Sequence, residues 1–210
     1  MTCPAHALAA TRQFLVAQDV DLIRELIRRL REQEPQRVLQ VVDIGAGSGT
    51  TALSVFAEVP DKVLVRTVDH DAQALAYSKL AVSNIGRLRD WRGFVGDSAR
   101  AIFERGGQDI DLLLVDAEHT YKAVLADLAA WLPLLRDSGF VWIHDYGNPK
   151  DFGVPVVASR GVKRAITEML RKHELTAVEI AGLGWAGQRY VEQEERVDAD
   201  LGSRRKRTTR

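Results

Sequence analysis

Apolar residues in this chain follow two periodicities. From residue 12 to 33, Phe14, Leu15, Val20, Leu22, Ile23, Leu26, Ile27 and Leu30 recur at helical spacing among many charges. Pro35 closes the segment, which predicts an amphipathic helix. Short apolar runs then recur at 38–44, 62–68, 92–96, 110–116 and 139–145, separated by segments of helical spacing near 50–58, 71–84, 98–105 and 119–136. Within the last of these, Leu125, Leu128, Ala129, Leu132 and Leu135 with Trp131 read as core positions. Alternating strands and helices predict a parallel sheet with crossover helices on both faces, a three-layer α/β sandwich. A further helix is expected near 161–172. Strands 174–180 and 185–191 are close enough to pair as an antiparallel hairpin through Gly182 and Gly184. The sum is a seven-stranded, mostly parallel sheet ending in an antiparallel C-terminal hairpin.

The pattern divides the chain into an N-terminal helical segment (1–36), one α/β domain (37–191) and a tail (192–210). In the tail, Glu192, Glu194 and Glu195 precede Arg204, Arg205, Lys206 and Arg207, and apolar residues nearly vanish. Such a segment predicts a disordered, solvated end. A chain of 210 residues with 46% hydrophobic and 28% charged residues suits one globular domain with a substantial core. The formal net charge of zero provides no global field to recruit nucleic acid or an anionic membrane. The lone cysteine, Cys3, excludes an intrachain disulfide and points to a reducing, cytoplasmic compartment. The first 20 residues do not read as a signal peptide, and no apolar run is long enough to predict a membrane span.

Candidate chemistry gathers at the strand ends. The first strand runs into Asp43-Ile44-Gly45-Ala46-Gly47-Ser48-Gly49-Thr50. A buried strand feeding a glycine turn and then a helix lets backbone N–H groups approach a ligand. Thr50 stands where a dinucleotide motif would carry its last glycine, which favours a nucleoside cofactor without a pyrophosphate. The second strand ends in Asp69-His70-Asp71, the third in Gly96-Asp97-Ser98, the fourth in Asp116-Ala117-Glu118-His119 and the fifth in His144-Asp145. Ligands of an open parallel sheet bind at these carboxyl ends. Asp69 follows Gly45 at roughly the spacing, about 20 residues, at which an acid takes ribose hydroxyls. Asp71 and Asp97 also suit simple helix caps.

These motifs resemble the cofactor-binding motifs of class I S-adenosylmethionine-dependent methyltransferases over residues 38–191. Val115-Asp116-Ala117-Glu118-His119-Thr120-Tyr121, Ile143-His144-Asp145-Tyr146 and Gly161-Val162-Lys163-Arg164-Ala165-Ile166 are similar to the small-molecule O-methyltransferases of the cephalosporin- and macrolide-tailoring type. The resemblance implies a Rossmann-like fold and a cofactor site made by Asp43, Gly45, Ala46, Gly47, Gly49, Asp69, His70, Asp97, Ser98 and Asp116. In that site the glycine turn passes under the methionine part of S-adenosylmethionine and Asp69 accepts from both ribose hydroxyls. Asp97 and Ser98 lie at the adenine, and His70 either stacks nearby or faces solvent.

Asp116 and Asp145, ending adjacent strands, suit a hard divalent cation such as Mg²⁺. In similar enzymes such an ion holds a deprotonated substrate oxygen. His119 stands where catechol-type relatives carry a lysine read as the general base, and His144 is the alternative base or a third ligand. Those relatives have Asn after the second metal aspartate, whereas Tyr146 follows Asp145 here, so the third ligand stays open between Glu118 and His144. The loop 146–160, with Tyr146, Lys150, Phe152 and Arg160, reads as a lid that meets substrate. The expected partner is a small hydroxylated molecule. The helix at 12–33 suits a homodimer interface as well as its own sheet. The competing reading is a non-catalytic protein of the same fold that binds S-adenosylmethionine; a nicotinamide oxidoreductase is disfavoured by Thr50.

Overall fold

The computed structural model describes residues 15–100, 109–147, 159–172 and 175–189. In chain order these form α1 (Ala17–Gln33), β1 (Leu39–Ile44), α2 (Thr50–Glu58), β2 (Val63–Asp69), α3 (Ala72–Asn84), β3 (Trp91–Val95), β4 (Ile110–Val115), α4 (Tyr121–Trp131), β5 (Leu135–Ile143), α5 (Ser159–Arg171), β6 (Leu175–Ala181) and β7 (Gly184–Arg189). One seven-stranded sheet runs in the order β3-β2-β1-β4-β5-β7-β6. β7 pairs antiparallel with both β5 and β6, and the remaining pairings are parallel. The order reverses beside β1, so the ends of β1 and β4 flank the crevice where such sheets bind ligands.

The central strands β1 and β4 and the second half of β5 are buried on both faces, which accounts for their near-continuous apolar runs. Leu112, Leu114, Phe140 and Trp142 point to the layer of α1, α2 and α3. Their neighbours Leu113, Val115, Val141 and Ile143 point to the layer of α4 and α5. The period of two along each strand thus separates two cores. In α1, Val20, Ile23, Leu26, Ile27 and Leu30 are fully buried in the first of these cores, so the apolar stripe lies on the chain's own sheet.

Several boundaries differ from the sequence reading for local reasons. α4 stops at Trp131, because Pro133 lies in the 3₁₀ turn Leu132–Leu134 and lacks the N–H that an α-helix needs. Leu135 therefore opens β5 instead of ending a helix, and Ala129 is exposed. Residues 98–100 form turns rather than the start of a helix. The rest of that expected helix, most of the loop 146–160 and the charged tail lie outside the described residues. Among the described residues no helix is long and apolar enough to cross a membrane.

Leu26 is fully buried between α1 and the sheet. Leu26→Ala is expected to destabilise the fold by about 2–5 kcal/mol, the usual range for a core leucine, read as a lowered urea midpoint.

Candidate functional site

The glycine turn after β1 sits hard against the end of β4. Gly45 has a φ of 98°, and a Cβ there would run into the carbonyl oxygen of Asp116. Asp116 N–H in turn donates to the Ile44 carbonyl at 2.8 Å. The turn and the acid after β4 are therefore one rigid unit. A Cβ on Gly47 would meet nothing within 4 Å, so this part of the turn offers bare backbone to an incoming molecule. Gly45, Ala46, Gly47, Ser48 and Asp116 line a small pocket of about 20 Å³. A larger hollow of about 480 Å³ lies around Arg136 and another of about 460 Å³ between α3 and Trp91 of β3, and neither holds the convergent strand-end acids.

Asp69 holds the turn from the side. Its Oδ2 accepts from Ala46 N–H at 2.7 Å and its Oδ1 from Asp71 N–H at 2.8 Å. The carboxylate is thus fixed at the end of β2, with lone pairs left for hydroxyl donors. His70 is 89% exposed, 3.6 Å from Asp69 Oδ1, and faces solvent. Asp97 is also largely exposed and accepts from Ala99 N–H of the turn that follows it. The Ser98 hydroxyl is turned away onto Asp127 of α4, and Trp131 Nε1 donates to the Ser98 carbonyl. Burial raises the pKa of Asp127, against the opposing effect of that hydroxyl. Asp43 lies wholly beneath the turn, where its Oδ2 accepts from Thr67 Oγ1 at 3.1 Å. Burial pushes its pKa up to about 7, against hydrogen bonds from Thr51 and Thr67.

The ends of β4 and β5 bring the other chemistry together. Ligand atoms of Asp116, His144 and Asp145 lie within 4.8 Å of one another. His144 Nδ1 is 3.1 Å from Asp116 Oδ1 and 3.5 Å from Asp145 Oδ2. His119 Nδ1 lies 2.8 Å from the same Asp145 oxygen. Asp145 itself has a φ of 57°, a left-handed conformation that aspartate tolerates better than most residues. Glu118 is exposed, and its carboxylate accepts from Thr120 Oγ1 instead of joining the cluster.

A fourth member comes from α1, where sequence reasoning placed no functional residue. Asp19 is fully buried. Its Oδ1 accepts from Leu183 and Gly184 N–H, both at 2.8 Å, and its Oδ2 from Val16 N–H at 2.9 Å. The same Oδ2 is 3.4 Å from His144 Nε2, an ion-pair separation without hydrogen-bond alignment. The signal was present in the chain, because Asp19 interrupts the apolar stripe of Leu15, Leu22, Ile23 and Leu26.

Burial opposes charge on His144, but Asp116, Asp145 and Asp19 outweigh it and raise its pKa to about 12. Burial likewise opposes charge on Asp145, yet His119 and His144 hold its pKa well below the usual carboxylate range. The hydrogen bond to Asp145 raises the pKa of His119 against its partial burial. Within the cluster the two imidazoles and the three carboxylates favour one another's charged forms.

Residues 42–146, half of the chain, match the methyltransferase domain family. No curated protein matches the chain in sequence. Among solved structures, the fold is similar to an O-methyltransferase from Bacillus cereus in complex with S-adenosylhomocysteine, with a TM-score of 0.66 and 14% identity over 89% of this chain and 88% of that one. It is similar to TomG from Streptomyces achromogenes, an O-methyltransferase involved in tomaymycin synthesis and bound to S-adenosylmethionine, with a TM-score of 0.68 and 18% identity over 90% and 89%. A third is the Podospora anserina methyltransferase PaMTH1 bound to S-adenosylhomocysteine, with a TM-score of 0.66 and 12% identity over 91% and 89%. At these identities the likeness is one of fold.

The raised pKa of His144 carries a sign. The native state keeps a proton that the unfolded chain releases above about 6.5, so this contribution to stability is full below pH 6.5 and is lost as pH rises toward about 12. In cation-free protein, ¹⁵N NMR is expected to show His144 as an imidazolium at pH 8; a neutral ring at that pH would contradict the charge assignment.

Proposed function

We propose that this chain, which belongs to the methyltransferase domain family, moves a methyl group from S-adenosylmethionine to a hydroxyl of a small molecule. The observation that carries this reading is the contact between the glycine turn and Asp116. It joins a backbone cradle for a nucleoside cofactor to a cluster of two acids and two histidines suited to an oxygen nucleophile.

The residues fit the donor. Bare backbone at Gly47 gives it room, and the fixed carboxylate of Asp69 offers acceptors for a ribose diol. Asp97 lies exposed at the end of β3, where an adenine amine would find an acceptor. Ser98 contributes through the Asp127 contact that shapes this edge.

His119 is the base in this reading. Its Nδ1 is committed to Asp145, which leaves Nε2 as the nitrogen that can accept a proton. Asp145 orients the ring and raises its basicity, as the carboxylate partner of a catalytic histidine does. As the hydroxyl proton passes to Nε2, the oxygen attacks the methyl carbon. The carbon–sulfur bond breaks, and its electron pair stays on sulfur, leaving a neutral thioether. No covalent enzyme intermediate is required, so the protein's work is alignment and proton removal.

Asp116 and Asp145 would hold a divalent cation beside this oxygen. Their donor set fits such an ion, because two carboxylates and an imidazole converge from adjacent strand ends. A bound cation supplies Lewis-acid assistance to deprotonation of the hydroxyl.

Asp69→Ala is expected to abolish S-adenosylmethionine binding by calorimetry while circular dichroism stays native; unchanged affinity would overturn the cofactor site. With a catechol or another small hydroxylated acceptor, kcat is expected to rise with pH through a value above 6.5 and then level off. His119→Gln is expected to lower kcat by about 10²–10⁴-fold and remove that limb. A variant that keeps full activity and the same pH profile would remove His119 from the base role.

A further inference from the structure

We propose that His144 is the third protein ligand of the cation, and that Asp19 on α1 is the outer carboxylate that orients it, so that the centre prefers Mn²⁺ to Mg²⁺. This rests on the metal-assisted reading above and adds to it the ligand set, the supporting residue and the ion.

Three observations converge. First, His144 Nδ1 faces the same space as the acids, 3.1 Å from Asp116 Oδ1 and 3.5 Å from Asp145 Oδ2. The side chain is about 95% buried, so its approach to that space is fixed by packing, with the Trp142 ring 5.5 Å away and tilted by 32°. Secondly, the opposite ring nitrogen is provided for. A histidine that ligates a metal nearly always gives its other N–H to a carboxylate or carbonyl, which fixes the ring and strengthens the ligand. Among the described residues Nε2 of His144 is buried without a hydrogen-bond partner, and the acid that faces it is Asp19, with Oδ2 at 3.4 Å. Thirdly, Asp19 does not depend on His144 for its own position. The N–H groups of Val16, Leu183 and Gly184 hold both its oxygens. A Cβ on Gly182 would strike Asp19 Oδ1, so the hairpin is built around this carboxylate.

The choice of ion follows from the donors. Mg²⁺ takes oxygen ligands and keeps its waters, whereas an imidazole suits transition metals better. Mn²⁺ shares the carboxylate preference of Mg²⁺ but, as a first-row transition metal, takes a nitrogen ligand more readily than Mg²⁺ does. Asp116 and Asp145 keep more exposure than His144, which places the open side of the centre toward the crevice.

The test uses the full chain and Mn²⁺ alone, followed by electron paramagnetic resonance with electron spin-echo detection of nitrogen. Wild-type protein is expected to bind Mn²⁺ more tightly than Mg²⁺ and to show coupling to a ligating ¹⁴N. His144→Gln is expected to lose that coupling. Asp19→Asn keeps an oxygen for Leu183 and Gly184, and is expected to retain the coupling while binding Mn²⁺ about 10–100-fold more weakly. Bound Mn²⁺ without nitrogen coupling, a preference for Mg²⁺, or equal Mn²⁺ affinity in Asp19→Asn would overturn the proposal. Should Asp19→Asn fail to fold, the comparison of wild type with His144→Gln still decides the ligand. Wild-type protein that binds neither ion would overturn the metal reading too, while S-adenosylmethionine affinity measured in parallel judges the methyl-donor site separately.

Discussion

The imidazole of His144, enclosed by Asp19, Asp116 and Asp145, is the contact on which the working end of this molecule is organised. Four ionisable groups this far from water are costly unless they compensate one another. Here the one imidazolium offsets part of the charge of the three carboxylates, and backbone N–H groups take both oxygens of Asp19. Because the carboxylates come from α1, β4 and β5, the compensation also sets the relative positions of those elements. The hairpin turn joins the same network. Leu183 N–H donates to Asp19, and the Leu183 carbonyl accepts from Tyr146 and Gly147 N–H beyond β5. The segment leading into the loop beside the site is therefore anchored to the N-terminal helix through one residue.

The second constraint is steric. The Asp116 carbonyl leaves no room for a side chain at position 45. The close approach lets the glycine turn and the acid after β4 share one edge, since they cannot move apart without breaking the Ile44–Asp116 hydrogen bond. Asp69 completes the arrangement by holding Ala46 N–H. In a methyltransferase domain this rigidity matters, because transfer depends on placing the acceptor atom in line with the bond to the departing methyl group.

Much of this was legible in the chain because the signals are local. The alternation of apolar runs and helical spacing predicted the order of elements, and the buried strands keep that pattern because helices cover both faces of the sheet. The glycine turn, Asp69, Asp116, His119, His144 and Asp145 could each be identified from their place at a strand end. Other roles depended on what lies across space. Ser98 reads as a free hydroxyl in sequence but spends it on Asp127, and Asp43 reads as a strand-end acid but lies beneath the turn. Glu118, one residue from His119, points elsewhere because Thr120 takes its carboxylate.

By itself, then, the sequence determined the layered α/β architecture and the set of acids and histidines at one sheet edge, because side-chain periodicity and strand-end position are properties of short segments. Tertiary structure decided which of those groups meet. Asp19 shows why: it is separated from His144 by more than half the chain, and nothing near residue 19 specifies a partner. Only the packing of α1 on the sheet, driven by Val20, Ile23, Leu26, Ile27 and Leu30, brings a buried carboxylate to the far side of that imidazole. The hydrophobic stripe fixes where the helix lies, and the one charge within the stripe is thereby delivered to the site.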